Sequence, residues 1–322
     1  MIKTTLCELL GIEHPIIQGG MAWAANAELA AAVSNAGGFG IVGAGNLPAE
    51  AVRQELHRAR DMTDRPFGAN VPLFAPGVEE RLQVFIDEGV SVVTVGGGNV
   101  GPYLGPLQRA GILVIPVVAS VALARRLARQ GVNALIAEGM ESGGHIGDVA
   151  TLPLVPQVVD AVDIPVIAAG GFADGRGLAA ALALGAAGIQ MGTRFICTAE
   201  CQAHDNYKQK IVRAHDRATM VTGSTFGHPV RSIKGPFIRR FEELERNGCS
   251  EEDFLEYGAG TLRAAIVDGD VVEGSVMAGQ SAGLVDDVLP VAELIARTVA
   301  EAEETIKRSA DKLVGGGWPR QT

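Results

Sequence analysis

The chain has 322 residues, 47% of them hydrophobic and 20% charged, enough apolar side chain to bury a large core. A formal net charge of −10, with no Lys/Arg-rich block interleaved with aromatics, argues against nucleic acid as a partner. No run is long and apolar enough to span a bilayer, and the opening "MIKTTLCELLGIEHP" lacks the apolar stretch of a secretory signal, so the expectation is a cytoplasmic protein with no membrane partner.

Short runs rich in Val, Ile, Ala and Phe recur at even intervals: "PIIQGG" from 15, "GFGIVG" from 38, "PFGANV" from 66, "SVVTVG" from 91, "GILVIPVV" from 111, "NALIAEG" from 133, "IPVIAAGG" from 164 and "AAGIQMG" from 186. Most are continuous in apolarity, as strands buried on both faces of a parallel sheet should be. Between them lie helix-period segments such as "PAEAVRQELHRARDMT" and "SVALARRLARQG", most of which end near Gly or Asn. Eight such units in alternation predict an α/β fold, a (β/α)8 TIM-type barrel over residues 1–200.

After "QMGTRF" the pattern changes. Residues 201–270 are more charged and show no buried strand run, and are expected to form a small helical cap or substrate domain. Residues 271–322 return to the barrel: "AGLVDDVLPVAELIARTVAEAEETIKRSADKL" reads as one or two amphipathic helices of the outer ring, and "VGGGWPRQT" as a frayed end. Four cysteines, Cys7, Cys197, Cys201 and Cys249, have no CxxC spacing and are read as reduced thiols; Cys197 and Cys201 would share a face if that stretch is helical, but no further ligand stands near, so no metal is expected.

The active face of such a barrel is built by the loops that follow the strands. These loops are rich in glycine: "QGGMAWAAN" with Gly20, Met21 and Ala22, "GAGN" with Asn46, Asn70 after the third run, "EGMESGGHIG" with Glu138, Gly143, Gly144 and His145, "GGFADG" with Gly170 and Gly171, and "GTRF" with Gly192 and Thr193, preceded by Gln190. Glycine lets a ligand approach the backbone, and pairs after the seventh and eighth strands stand where barrels often bind a phosphate with backbone N–H groups. Tight turns are the competing reading of any one pair. No GxGxxG opens a βαβ unit and no lysine stands at a strand end for pyridoxal phosphate; flavin mononucleotide (FMN) is the most economical candidate, with Asn70, Glu138 or Gln190 for its ribityl chain and the backbone near Met21 and Ala22 for its ring.

The stretches "PIIQGGMAW", "NAGGFGIVGAGN", "PFGANV", "AEGMESGGHIG", "IPVIAAGGFADG" and "QMGTRF" resemble the flavin-dependent family of nitronate monooxygenases (2-nitropropane dioxygenases) and the flavin-type enoyl-acyl-carrier-protein reductase II. The later segments "AHDNYKQKIVRAHD", "TFGHPVRSIKGPF" and "GDVVEGSVMAGQSAGLV" are similar to the reductase branch. The resemblance implies FMN, NADH or NADPH as co-substrate, a trans-2-enoyl thioester on acyl carrier protein as substrate in fatty acid elongation, a homodimer, and activation by a monovalent cation. It implies that His145 is the catalytic histidine, stabilising the thioester enolate or protonating its α-carbon, and that Met277, Gly279, Gln280 and Ser281 contribute to the phosphate side of the flavin. Oxidation of alkyl nitronates is the rival activity, and a non-catalytic FMN-binding sensor is a third reading.

Other residues carry less. His228 in "FGHPVRS" either lines the entrance or holds the cap; Arg194 either lies near the phosphate or forms a surface salt bridge; His14 is read as structural, and His57, His204 and His215 as solvated.

Overall fold

The structure is a computed structural model and describes residues 2–314. A short helix α1 (Thr5–Leu10) precedes a series of strands and helices: β1 (Ile16–Gln18), α2 (Ala27–Asn35), β2 (Gly40–Gly43), α3 (Ala49–Met62), β3 (Phe67–Pro72), α4 (Val78–Asp87), β4 (Val92–Gly96), α5 (Gly101–Arg109), β5 (Leu113–Val118), α6 (Val121–Arg129) and β6 (Leu135–Glu138). A two-residue strand β7 (Gly144–His145) then precedes α7 (Thr151–Val159), β8 (Val166–Ala169), α8 (Gly175–Ala183) and β9 (Gly188–Met191). The remainder comprises α9 (Thr193–Ile196), α10 (Asp205–Val212), β10 (Thr219–Thr222), β11 (Val230–Ile233), α11 (Pro236–Arg246), α12 (Glu251–Gly258), α13 (Thr261–Ile266) and α14 (Val291–Val314).

The eight expected strands all form, and they pair in parallel in the order β1-β9-β8-β6-β5-β4-β3-β2. A parallel bridge between Ile17 and Phe39 joins the two ends, and the buried Gln18 side chain accepts from Ile41 N at 3.0 Å across the same seam. A (β/α)8 barrel results. Alternation along the strands sends one set of side chains inward. Ile17, Phe39, Ile41, Val92, Ile115, Ile136 and Ile167 form the interior cluster, closed below by Leu6 and Leu10 of α1, while Ile16, Val42, Val93, Val114, Leu135, Val166 and Ile189 pack outward against the helices.

Helix α14 takes its place in the outer ring beside α8 and α2, as the amphipathic tail predicts. Of the expected frayed end, residues 315–322 lie outside the described residues. On the outer surface, Glu88 at the end of α4 gathers Arg60, His57 and Arg53 of α3, and hydrogen bonds from Arg60 first hold its carboxyl down at about 2. The half-exposed His57 has its Nε2 2.8 Å from Glu88 Oε2. His204 caps α10, its Nδ1 accepting from Asn206 N at 3.1 Å, and the exposed His215 accepts from Arg217 N at 3.2 Å.

Residues 201–270 contain the expected helices and, in addition, the antiparallel hairpin β10–β11. Its strands "TMVT" and "VRSI" mix polar with apolar residues and so carry no buried-strand signature. The stretch from Cys197 to Cys201 is not helical; both thiols are buried and free, and burial pushes Cys197 up to about 12, leaving it unreactive. Among the described residues no helix is long and apolar enough to cross a membrane.

Candidate active site

A cavity of about 510 Å³ opens at the C-terminal ends of the barrel strands, within the size range of cofactor pockets. Its floor is made by the last inward-facing positions of the strands. Asn70 on β3, Glu138 on β6 and Gln190 on β9 all reach it. Asn70 donates from Nδ2 to Thr94 O at 3.1 Å and Thr94 Oγ1 at 3.0 Å, which fixes the amide; a Cβ at Gly20 would stand 2.3 Å from Asn70 Cγ, so only glycine leaves the amide room. Burial pushes the Glu138 carboxyl up to about 7. The nearby Ser142 hydroxyl opposes this only in part, since its Oγ makes no hydrogen bond of acceptable geometry.

One wall is glycine backbone. Gly170 and Gly171 both have positive φ (90° and 88°), and a Cβ on Gly170 would lie 2.6 Å from Gly139 O. Thr193 opens α9, in which Phe195 N and Ile196 N donate to Gly192 O, and its Oγ1 accepts from the buried Gly279 N at 2.9 Å. That bond ties the Met277–Ser281 segment to the end of β9; Met277, Gly279 and Ser281 line the cavity. Gln280 does not: its side chain is exposed, and only its backbone N–H is engaged, with Glu141 O at 2.8 Å.

His145 stands at the mouth. It belongs to β7, which is the third strand of the hairpin sheet rather than part of the barrel: Val230 pairs with His145, Arg231 with Gly144, and Ile146 N donates to Pro229 O at 3.0 Å. The buried Arg231 guanidinium reinforces this, donating to Met140 O from Nε (3.1 Å) and Nη2 (2.9 Å). Behind the loop, Glu141 accepts from Thr151 N at 2.9 Å. The imidazole is exposed and lines the cavity, and partial desolvation, followed by the neighbouring His228, lowers its pKa from the ordinary histidine value. His228 itself is exposed, 3.4 Å from Glu251, and does not line the cavity.

The structure therefore brings Gly20, Met21, Ala22, Asn46, Asn70, Glu138, Gly143, Gly144, His145, Gly170, Gly171, Gln190, Gly192, Thr193, Met277, Gly279 and Ser281 to one cavity. Arg194 is at neither expected place: it is buried away from the cavity, its Nη2 pairing with Asp287 at 2.6 Å. Lining residues that the sequence did not single out are Phe74, Tyr207, whose Oη donates to Met277 O at 2.8 Å, and Leu262 and Ile266 of α13. Within a sequence these apolar side chains are indistinguishable from core.

The family model described as nitronate monooxygenase matches residues 3–81 and 74–301. The structure of FabK from Thermotoga maritima is 49% identical, with a TM-score of 0.94 over 98% of this chain and 100% of that one. Nitroalkane oxidase from Streptomyces ansochromogenes is 31% identical, with a TM-score of 0.84 over 95% and 99% of the respective chains. Among curated proteins, (3aS,4S,5R,7aS)-5-hydroxy-7a-methyl-1-oxo-octahydro-1H-indene-4-carboxyl-CoA dehydrogenase of Mycobacterium tuberculosis is 36% identical over 94% of this chain and 96% of its own. With its barrel, cavity and these relatives, the chain belongs to the nitronate monooxygenase family and is a flavin-dependent oxidoreductase.

Proposed function

We propose that the protein is an FMN-dependent, NADH- or NADPH-using reductase of trans-2-enoyl thioesters, with acyl carrier protein as the carrier in fatty acid elongation. The observation that carries the reading is an imidazole, His145, held by the hairpin sheet at a cavity that Asn70, Glu138 and Gln190 also line. The 49% identity to FabK, an enoyl-acyl-carrier-protein reductase II, favours reduction over nitronate oxidation.

The residues fit FMN. Asn70, Glu138 and Gln190 offer acceptors and donors to a ribityl chain, the Gly170–Gly171 turn and the start of α9 offer backbone to a phosphate, and Met21 and Ala22 offer backbone to the ring edge. When bound, FMN supplies hydride transfer between the nicotinamide and the β-carbon of the substrate. His145 donates a hydrogen bond to the thioester oxygen as negative charge develops there, or passes a proton to the α-carbon. Glu138, its carboxyl pushed up to about 7 by burial, would donate or accept a hydrogen bond to the bound group. Residues 201–270 act as the cap that holds His145. The homodimer, the monovalent cation and the cytoplasmic setting belong to the same reading on family resemblance.

Nitronate oxidation is the second reading, favoured by the match to nitroalkane oxidase. Anaerobic mixing separates the two: NADH or NADPH bleaches the visible flavin band of a reductase, and an enoyl thioester restores it. Bleaching by alkyl nitronates alone excludes the reductase.

A further inference from the structure

Phe74 lies in the turn between β3 and α4 with 61% of its surface exposed, yet it lines the cavity. It is held in place. Leu73 N donates to Gly96 O at 2.8 Å; a Cβ on Gly97 would stand 2.5 Å from Phe74 Cδ1, and one on Gly98 would stand 2.6 Å from Leu73 Cβ. The turn after β3 thus interlocks with the glycine loop after β4, and the phenyl ring rests against Gly97. On its other side the ring meets His145, with centroids 5.3 Å apart and planes tilted by 55°.

The charge pattern says what kind of group covers this ring. Among the lining residues Glu138 is the only one of the Asp, Glu, Lys and Arg types, and it lies on the floor. No lysine or arginine lines the cavity, so backbone N–H groups are what it offers an anion, on the Gly170–Gly171 side. Apolar side chains are prominent in the lining, among them Phe74, Pro72 and Val117 from the barrel's strands and loops and Leu262 and Ile266 from α13 of the cap. An exposed phenyl in a cavity lined by further apolar side chains gains by burial under an apolar occupant.

We propose that Phe74 is a specificity-determining residue, the plate on which the acyl chain lies when its thioester meets His145. The site then selects extended apolar chains over short ones. The assignment rests on the enoyl-thioester reading for the identity of the substrate, and on the geometry alone for the role of the ring.

The test is equilibrium binding of saturated butanoyl, octanoyl and dodecanoyl thioesters of N-acetylcysteamine to the flavin-loaded protein, followed by flavin fluorescence. In the wild type each methylene that becomes buried raises affinity by about fourfold. In Phe74→Ala the loss grows with chain length, small for butanoyl and at least about tenfold for dodecanoyl, while Phe74→Leu recovers most of it. Flavin retained after desalting separates this from a folding defect. Equal loss at all lengths, no loss at any length, or a wild type indifferent to chain length overturns the proposal. A wild type that binds no thioester, but binds alkyl nitronates with a chain-length dependence that Phe74→Ala removes, overturns the enoyl reading and sustains the role of Phe74.

Discussion

Replacing Glu138 by glutamine tests the electrostatics of the cavity floor apart from turnover. The carboxyl of Glu138 titrates at about 7 in the folded protein against 4.5 when free, because burial disfavours its charged form. Between these two values the unfolded chain has already released the proton that the folded chain still holds. Stability conferred on the protonated group is therefore complete below 4.5 and lost as pH rises through about 7. At about 1.36 kcal/mol per pH unit the loss is about 3 kcal/mol, an upper bound because the cavity side of the carboxyl is open to water. Glutamine keeps the size and hydrogen-bonding groups and removes the charge. Urea unfolding of the flavin-free protein across this window should give wild-type and Glu138→Gln stabilities that agree below 4.5, diverge as pH rises from 4.5 to about 7, and stay apart above it, with the variant the more stable. Parallel curves for the two proteins would refute a buried, desolvated carboxyl.

His145→Ala should retain flavin, since the backbone cradle does not depend on the imidazole, and lose turnover by about 100- to 1,000-fold, the usual cost of one donor to a developing oxyanion; unchanged turnover in a steady-state assay would remove His145 from catalysis. Arg231→Met leaves Met140 O without its two side-chain donors and loosens the loop that carries His145. It should lower kcat by about tenfold or more with flavin affinity little changed, and Arg231→Lys should recover part of the rate; equal damage to flavin binding, read by fluorescence titration, would mean a general structural role.

The barrel was legible because buried parallel strands announce themselves as continuous apolar runs, from "PIIQGG" to "AAGIQMG", and glycine marks where the chain turns at their ends. The cap hairpin was not. Thr219–Thr222 and Val230–Ile233 bury only part of their length, and their third partner is two residues drawn from a loop more than seventy positions upstream. Strand ends also foretold the polar floor, since Asn70, Glu138 and Gln190 are polar residues closing apolar runs. Neighbouring positions were harder to tell apart. Ser281 faces the cavity and Gln280 faces solvent, a choice made by the turn of one short 3₁₀ helix that residue types do not reveal. Arg194 follows Thr193 directly but points to Asp287, because successive side chains on a helix diverge by about 100°.

The strand that bears His145 hydrogen-bonds to the hairpin and not to the barrel. The cavity is thereby shared between two parts of the chain: the barrel supplies the floor and the loop that bears His145, and the hairpin supplies the strand against which that loop is held. A chimaera that exchanges residues 219–233 with a relative's would therefore replace the strand that pairs with Gly144 and His145 without changing any residue of the barrel.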